Sequence, residues 1–474
     1  MENSGVWRNG RIPNYLKGVT NRGERDMKKV VVFSLNLVLS VSLLGCAATG
    51  GGMKSDGKSE SKPEAAKAPV TLTLYLHGAA LTDNEFQRFF AEPVKKKFPH
   101  ITLEFLKDKA NGGTDPNELI TAGTYPDMLY GSNTAVFAHK DLKWIADLSP
   151  YVKKEKVELS RVHPAIVETL GMYADREGEM IGLPFVTNYA ALFYNKDIFD
   201  KFGVGYPKDL MTWDQIMGLA RLLTRTDAGT PYIGLDFTEP DRPGGQLSLP
   251  LVEPKTGNSV ITSDGWKKIF GLLKQNYDIP GYIGPNNKWT YGLNAFLKDR
   301  NLAMLPNWAD GVIGPAEEFM LKGQPLNYDI AALPNFEDAL GTGREVDMHL
   351  LMLCNQSKHK DEAFQVMSYM MSEEIQTIVA KAGRFPVLNL PELEKGFGAD
   401  LGSLKGKNTA GIFKAKPRNM HDNPNQFDRS IVKPRLNDAA KAVALGQKDI
   451  NTALRDAQEL ADKQMADARK AKGN

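Results

Sequence analysis

Cysteine is nearly absent from the chain, with two among 474 residues, Cys46 and Cys354. A pair so far apart suits neither a disulfide-stapled fold nor a multi-cysteine metal site. Net charge is small too, at a formal +2, and its source is local. The first 45 residues hold seven basic side chains (Arg8, Arg11, Lys17, Arg22, Arg25, Lys28, Lys29) against Glu2, Glu24 and Asp26. The remainder, with 52 basic and 54 acidic residues, has no basic surplus for binding nucleic acid. The seven histidines stand singly, with no pair four residues apart, which removes the helical zinc-protease pattern. No G-x-S-x-G elbow and no calcium-loop spacing is present. Residues 402–408 (GSLKGKN) fall one residue short of a phosphate-binding loop and end in Asn408, where Ser or Thr is needed. No catalytic residue, metal ligand set or cofactor motif emerges. The paired carboxylates of a glycoside hydrolase meet only in the fold, so that activity stays open as an alternative.

What the chain does contain begins with an address. Met27-Lys28-Lys29 precedes residues 30–45 (VVVFSLNLVLSVSLLG), an uncharged stretch of 16 residues. It is shorter than the ~20 residues of a permanent membrane span and reads as a secretory signal peptide. Residues 1–26 lie upstream of that signal and lack periodicity, so Met27 is expected to be the initiator and 1–26 a spurious extension. Leu43-Leu44-Gly45-Cys46 resembles the lipobox of bacterial lipoproteins. That resemblance implies cleavage before Cys46 and acylation there, with palmitate among the usual chains, holding the protein on the outer face of the bacterial cell membrane. The alternative is a buried cysteine closing a plain signal peptide. Residues 46–69 are rich in Gly, Ser, Lys and Ala and nearly devoid of bulky apolar side chains, which describes a flexible tether.

The body starts near Val70. Residues 70–76 (VTLTLYL) predict a strand that ends at His77-Gly78. Thr82 then caps a helix carrying Phe86, Phe89, Phe90, Val94 and Phe98 until Pro99. Strands are predicted at 101–106, 127–130, 232–237 and 328–333, and one long extended stretch at 180–195. Helices are predicted at 117–122, 213–224, 263–276, 290–298, 314–321, 360–371 and 373–382, and again from 423 to the end. The alternation implies an α/β fold with largely parallel sheets. Cys354, inside the apolar run 351–354, reads as a reduced core residue.

Residues 184–201 read Pro184, an apolar residue, a gap, Ala190-Ala191, Leu192-Phe193, Tyr194-Asn195, then Ile198 and Lys201. This pattern resembles the signature of the family 1 extracellular solute-binding proteins of bacterial ABC importers, the maltose-binding-protein-like group. Residues 123–127 (GTYPD), 202–220, 296–308, 328–334, 357–363 and 453–455 match the family in order, so the resemblance spans about 70–469. It implies the type II periplasmic-binding-protein-like fold, two α/β lobes joined by crossover hinge segments, with a helical C-terminus and a ligand enclosed between the lobes. The expected crossings fall near 188–191, 346–351 and 417–423. Residues 70–188 and 348–418 would build the first lobe, and 189–347 with 419–474 the second.

The implied function is capture of a carbohydrate, expected to be an oligosaccharide, for delivery to an ABC permease, without chemistry on the ligand. The expected partners are this small molecule, the permease subunits and, through the lipid, the membrane, with the protein itself a monomer. A sensor that binds without feeding transport is a further alternative. Sugars ask for aromatic platforms and paired hydrogen-bonding groups. Trp289, Tyr291, Asn307, Trp308 and Asp310 have that character, though each Trp also suits a core. His77, Gly78, Asn133, Asn188 and Tyr189 fall where strands end towards the expected cleft, or serve as loop caps. Asp347 at the second crossing, and Arg384 as a clamp or a surface ion pair, complete the expected ligand-binding set.

Overall fold

The computed structural model describes residues 67–419 and 424–471. The signal segment, Cys46, most of the tether and part of the third expected crossing lie outside the described residues. Among the described residues no helix is long and apolar enough to cross a membrane.

In chain order the strands are β1 (Val70–Leu76), β2 (Ile101–Lys107), β3 (Met128–Ser132), β4 (Leu183–Asn188), β5 (Ala190–Asn195), β6 (Arg225–Asp227), β7 (Thr230–Leu235), β8 (Leu302–Trp308), β9 (Tyr328–Ala332), β10 (Thr342–Glu345), β11 (Asp347–Leu353), β12 (Phe385–Pro386) and β13 (Lys416–Arg418). They form a six-stranded sheet in the order β12-β4-β11-β3-β1-β2, a five-stranded sheet in the order β6-β7-β8-β5-β9, and the small pair β10-β13. Helices pack over each large sheet and give two lobes, each with its own core. The first core centres on Leu74, Phe90, Trp144, Phe185 and Leu351, and the second on Phe193, Trp213, Trp266, Phe296 and Tyr328.

Local chemistry accounts for most of the elements. Thr82 and Glu85 form a reciprocal capping box, which fixes the start of the helical run Asp83–Lys97. A π-helical turn at Gln87–Ala91 lies inside that run, and Phe86, Phe89 and Phe90 are buried along it. Thr212 repeats the capping box with Gln215 ahead of the helix Trp213–Leu223.

Three expectations change. The extended stretch at 180–195 is two strands in different sheets, broken at Tyr189, so its halves lie in separate lobes. The helix predicted from 314 begins at Asp310 and accommodates Pro315 inside. The sheets are mixed rather than largely parallel: β1 is parallel to β2 and β3, whereas β11 runs antiparallel to β3 and β4, and β5 to β8 and β9. The reason is the crossing itself. β4 leaves the first sheet through the edge at which β11 re-enters it, so the two run in opposite directions, with Asn188 opposite Asp347.

Candidate functional site between the lobes

The edge of the first sheet that faces the second lobe carries, in order across the sheet, Arg384 before β12, Asn188 ending β4, Asp347 opening β11, Asn133 after β3, and His77-Gly78 after β1. Parallel β1 and β3 both deliver their carboxyl ends here, the place where open α/β sheets bind ligands. The turn after β1 depends on Gly78, whose φ is +69° and whose absent Cβ would lie 2.7 Å from that of Ala135. Its N–H donates to Asp108 Oδ2 at 3.1 Å, and its carbonyl accepts the Ser132 hydroxyl at 2.8 Å.

A cavity of about 430 Å³ opens between the lobes. The first lobe contributes Asn133, Thr134, Phe137, Asp141 and Tyr173. The second contributes Asp241, Gly245, Trp266 and residues 424–430 with Lys433, while Glu345, Val346 and Asp347 of the crossing also line the wall. Four aromatic side chains, Phe137, Tyr173, Trp266 and Phe427, therefore share a cavity with the amides of Asn133, Asn425 and Gln426. Phe137 packs on Tyr173 with ring centroids 5.7 Å apart, and Asn133 Nδ2 donates to the Tyr173 hydroxyl at 3.2 Å. Trp266 is anchored through its indole N–H, which donates to Pro250 O at 2.8 Å.

Beside the cavity, the crossing is tied by a polar cluster. Asn188 Nδ2 donates to Asp310 Oδ1 at 2.6 Å and reaches Asp347 Oδ2 at 3.5 Å. Arg384 pairs with Glu85 at 2.7 Å and with Asp310 at 3.5 Å, so one guanidinium joins a first-lobe helix to the start of a second-lobe helix. Burial works to lower the Arg384 pKa, but Glu85, then Tyr130 and Asp310, outweigh it and hold the guanidinium above its ordinary value. Burial would raise the Glu85 pKa, yet Arg384 and Thr82 leave it lowered. Beneath them the Tyr130 hydroxyl lies 2.8 Å from His349 Nδ1. Burial, opposed by Asp347, keeps that imidazole below its usual range.

Of the twelve residues expected at the site, the cavity wall includes Asn133 and Asp347. Asn188, Asp310 and Arg384 belong to the polar tie just described. His77 and Gly78 end β1 at the same edge, where His77 Nδ1 lies 3.4 Å from His139 Nε2. Tyr189 is buried at the break between the lobes, packed on Phe385 and Phe413 with ring centroids 5.2 and 5.1 Å away. Asn307 accepts from Arg242, and the Arg344 guanidinium lies 4.0 Å above one face of the Trp308 ring, the side chain expected to serve as a sugar platform. Trp289 packs edge-on against Tyr277, and the Tyr291 hydroxyl donates to Tyr282 O, both against the second core. The aromatic wall residues, none of which sequence reasoning singled out, are Phe137, Tyr173, Trp266 and Phe427. They come from four separate segments, and no spacing in the sequence marks them as neighbours. Among the described residues no group of three or more His, Cys, Asp or Glu could hold a metal ion. Cys354 is buried and free, with its thiol pKa pushed up to about 11 by burial.

The family model for bacterial extracellular solute-binding proteins matches residues 79–377. Among solved structures, a sugar transporter from Rhizobium etli in an open conformation is 22% identical over 83% of this chain and 99% of its own, with a TM-score of 0.65. An ABC substrate-binding protein from Listeria monocytogenes in complex with cycloalternan is 19% identical, covers 84% of this chain and 99% of its own, and scores 0.64. The sugar-binding protein MalE from Xanthomonas citri is 18% identical, covers 85% and 100%, and also scores 0.64. At such identities the likeness speaks for the fold, which in these proteins is the two-lobe type II arrangement.

Proposed function

The chain belongs to the family of bacterial extracellular solute-binding proteins, and from that premise we propose that it captures a carbohydrate, an oligosaccharide in particular, and hands it unaltered to an ABC permease. The observation that carries this reading is the interlobe cavity, where Phe137, Tyr173, Trp266 and Phe427 share the wall with Asn133, Asn425 and Gln426. Aromatic faces take up the C–H surfaces of pyranose rings, while amides and carboxylates match their hydroxyls. The cycloalternan held by the Listeria protein is a ligand of this class.

The wall residues come from both lobes, so a ligand seated here favours the closed arrangement by the contacts it makes with each side. The side chains of the site have binding roles only. The extracytoplasmic setting follows from the family, and a lipid on Cys46, followed by the tether, would keep the protein at the membrane that holds its permease.

Thermal-shift screening of mono- and oligosaccharides tests the reading, because a ligand that binds only the folded protein raises the melting temperature by mass action. The expected result is a concentration-dependent rise with at least one oligosaccharide. No rise with any saccharide, or the release of shortened sugars during incubation, would contradict it.

A further inference from the structure

The charge of the cavity wall narrows the ligand class. Among the described residues five carboxylates line it, Asp141, Asp241, Glu345, Asp347 and Asp428. They face two cations, Arg429 and Lys433. Lys433 is engaged within the wall, 2.8 Å from Asp241 and 3.1 Å from Glu239. Arg429 is exposed at the rim. Arg344, the next cation, stands behind Glu345 at 3.1 Å and over Trp308, outside the cavity-lining set.

Asp347 is central to the balance. Its backbone carbonyl accepts the Thr187 hydroxyl at 2.9 Å, which fixes the residue at the crossing. Its carboxylate meets Asn188 at 3.5 Å, while the same amide makes a shorter bond to Asp310. Asp347 also lines the cavity, and a carboxylate there suits hydroxyl or ammonium donors.

We infer that the cavity takes uncharged or amino-bearing saccharides and rejects acidic ones, with Asp347 as a specificity-determining residue; this rests on the carbohydrate reading above. A carboxylate brought between the closing lobes loses water and meets like charges at short range, with no unengaged cation deep among the described wall residues to receive it. The same hydroxyl-to-carboxylate change is tolerated where an arginine faces the ligand; here Arg384 is engaged with Glu85 and Asp310, and Arg344 lies outside the cavity lining, paired through one Nη with Glu345.

The test compares one sugar with its own oxidised form, so that ring stereochemistry is held constant. The full chain is screened with neutral trisaccharides, including maltotriose and mannotriose. The best binder is then titrated beside its C6-oxidised uronate derivative by calorimetry at physiological ionic strength. The expected result is binding of the uronate weaker by about tenfold or more, a gap that Asp347→Asn narrows and added salt reduces. Asp141→Asn, elsewhere on the cavity wall, serves as a second variant if the first folds poorly. Equal or tighter binding of the uronate overturns the inference and leaves the carbohydrate reading standing. Absence of binding by every saccharide, neutral and acidic, overturns both.

Discussion

Arg384 shows how much one side chain does at the crossing. It is only 17% exposed and sits between Glu85 and Asp310, so removing it leaves two carboxylates facing each other in a low-dielectric setting. Arg384→Met is expected to lower stability by about 3 kcal/mol, read as a fall in the denaturation midpoint, with Glu85→Gln recovering part of the loss. Trp308 offers a sharper contrast. Its position in the sequence suggested a sugar platform, but Arg344 occupies one face of the ring, and Trp308 is not among the cavity-lining residues. Trp308→Ala is therefore expected to destabilise the protein while changing sugar affinity little, and Phe137→Ala to weaken binding with a smaller stability cost. A lost ligand response with unchanged stability in Trp308→Ala would return that ring to the site. Residues at strand ends, such as Asn133 and Asp347, were legible because chain order alone brings them to the sheet edge. Phe137, Tyr173, Trp266 and Phe427 were not, since only tertiary packing makes them neighbours.

At the scale of elements, local chemistry and crossing topology determine different things. The capping boxes at Thr82 and Thr212, the apolar runs and the helix periodicities were readable because each is settled within a few residues. The break at Tyr189 was not, because β4 and β5 form one uniformly buried run, and burial does not say which sheet a strand joins. Tyr189 marks the break between the two sheets, packed on both Phe385 and Phe413. Gly78 governs the turn after β1. Gly78→Ala is expected to cost about 1–3 kcal/mol, from a left-handed backbone and the clash with Ala135, and thermal melts of the variant will measure it. An unchanged midpoint would mean that the turn after β1 relaxes freely.

For the whole molecule, the two cores explain why length and composition pointed to more than one folding unit. Chain order is a poorer guide to membership: Phe397, Leu404, Ile412 and Phe413, placed by position with the first lobe, pack into the second core. The molecule also carries a pH signature. Burial, aided by the charge of His77, holds His139 at about 3, and burial lowers His77 and His349 as well. In the unfolded chain these imidazoles take up protons near the ordinary value of 6.5, so the unfolded state binds more protons between that pH and the folded value. Stability should accordingly be full above pH 6.5 and fall on acidification towards pH 3, by at most about 1.4 kcal/mol per pH unit for each group. Urea midpoints across that range, and a flattened slope in His139→Phe, provide the check.

The most direct measurement is native mass spectrometry of the full chain incubated with an oligosaccharide mixture, followed by release and weighing of whatever was retained. Capture without chemistry predicts a one-to-one complex whose ligand leaves at the mass at which it entered, weakened by Phe137→Ala. Shortened sugars in the mixture, or a chain that retains none of them, would contradict the account.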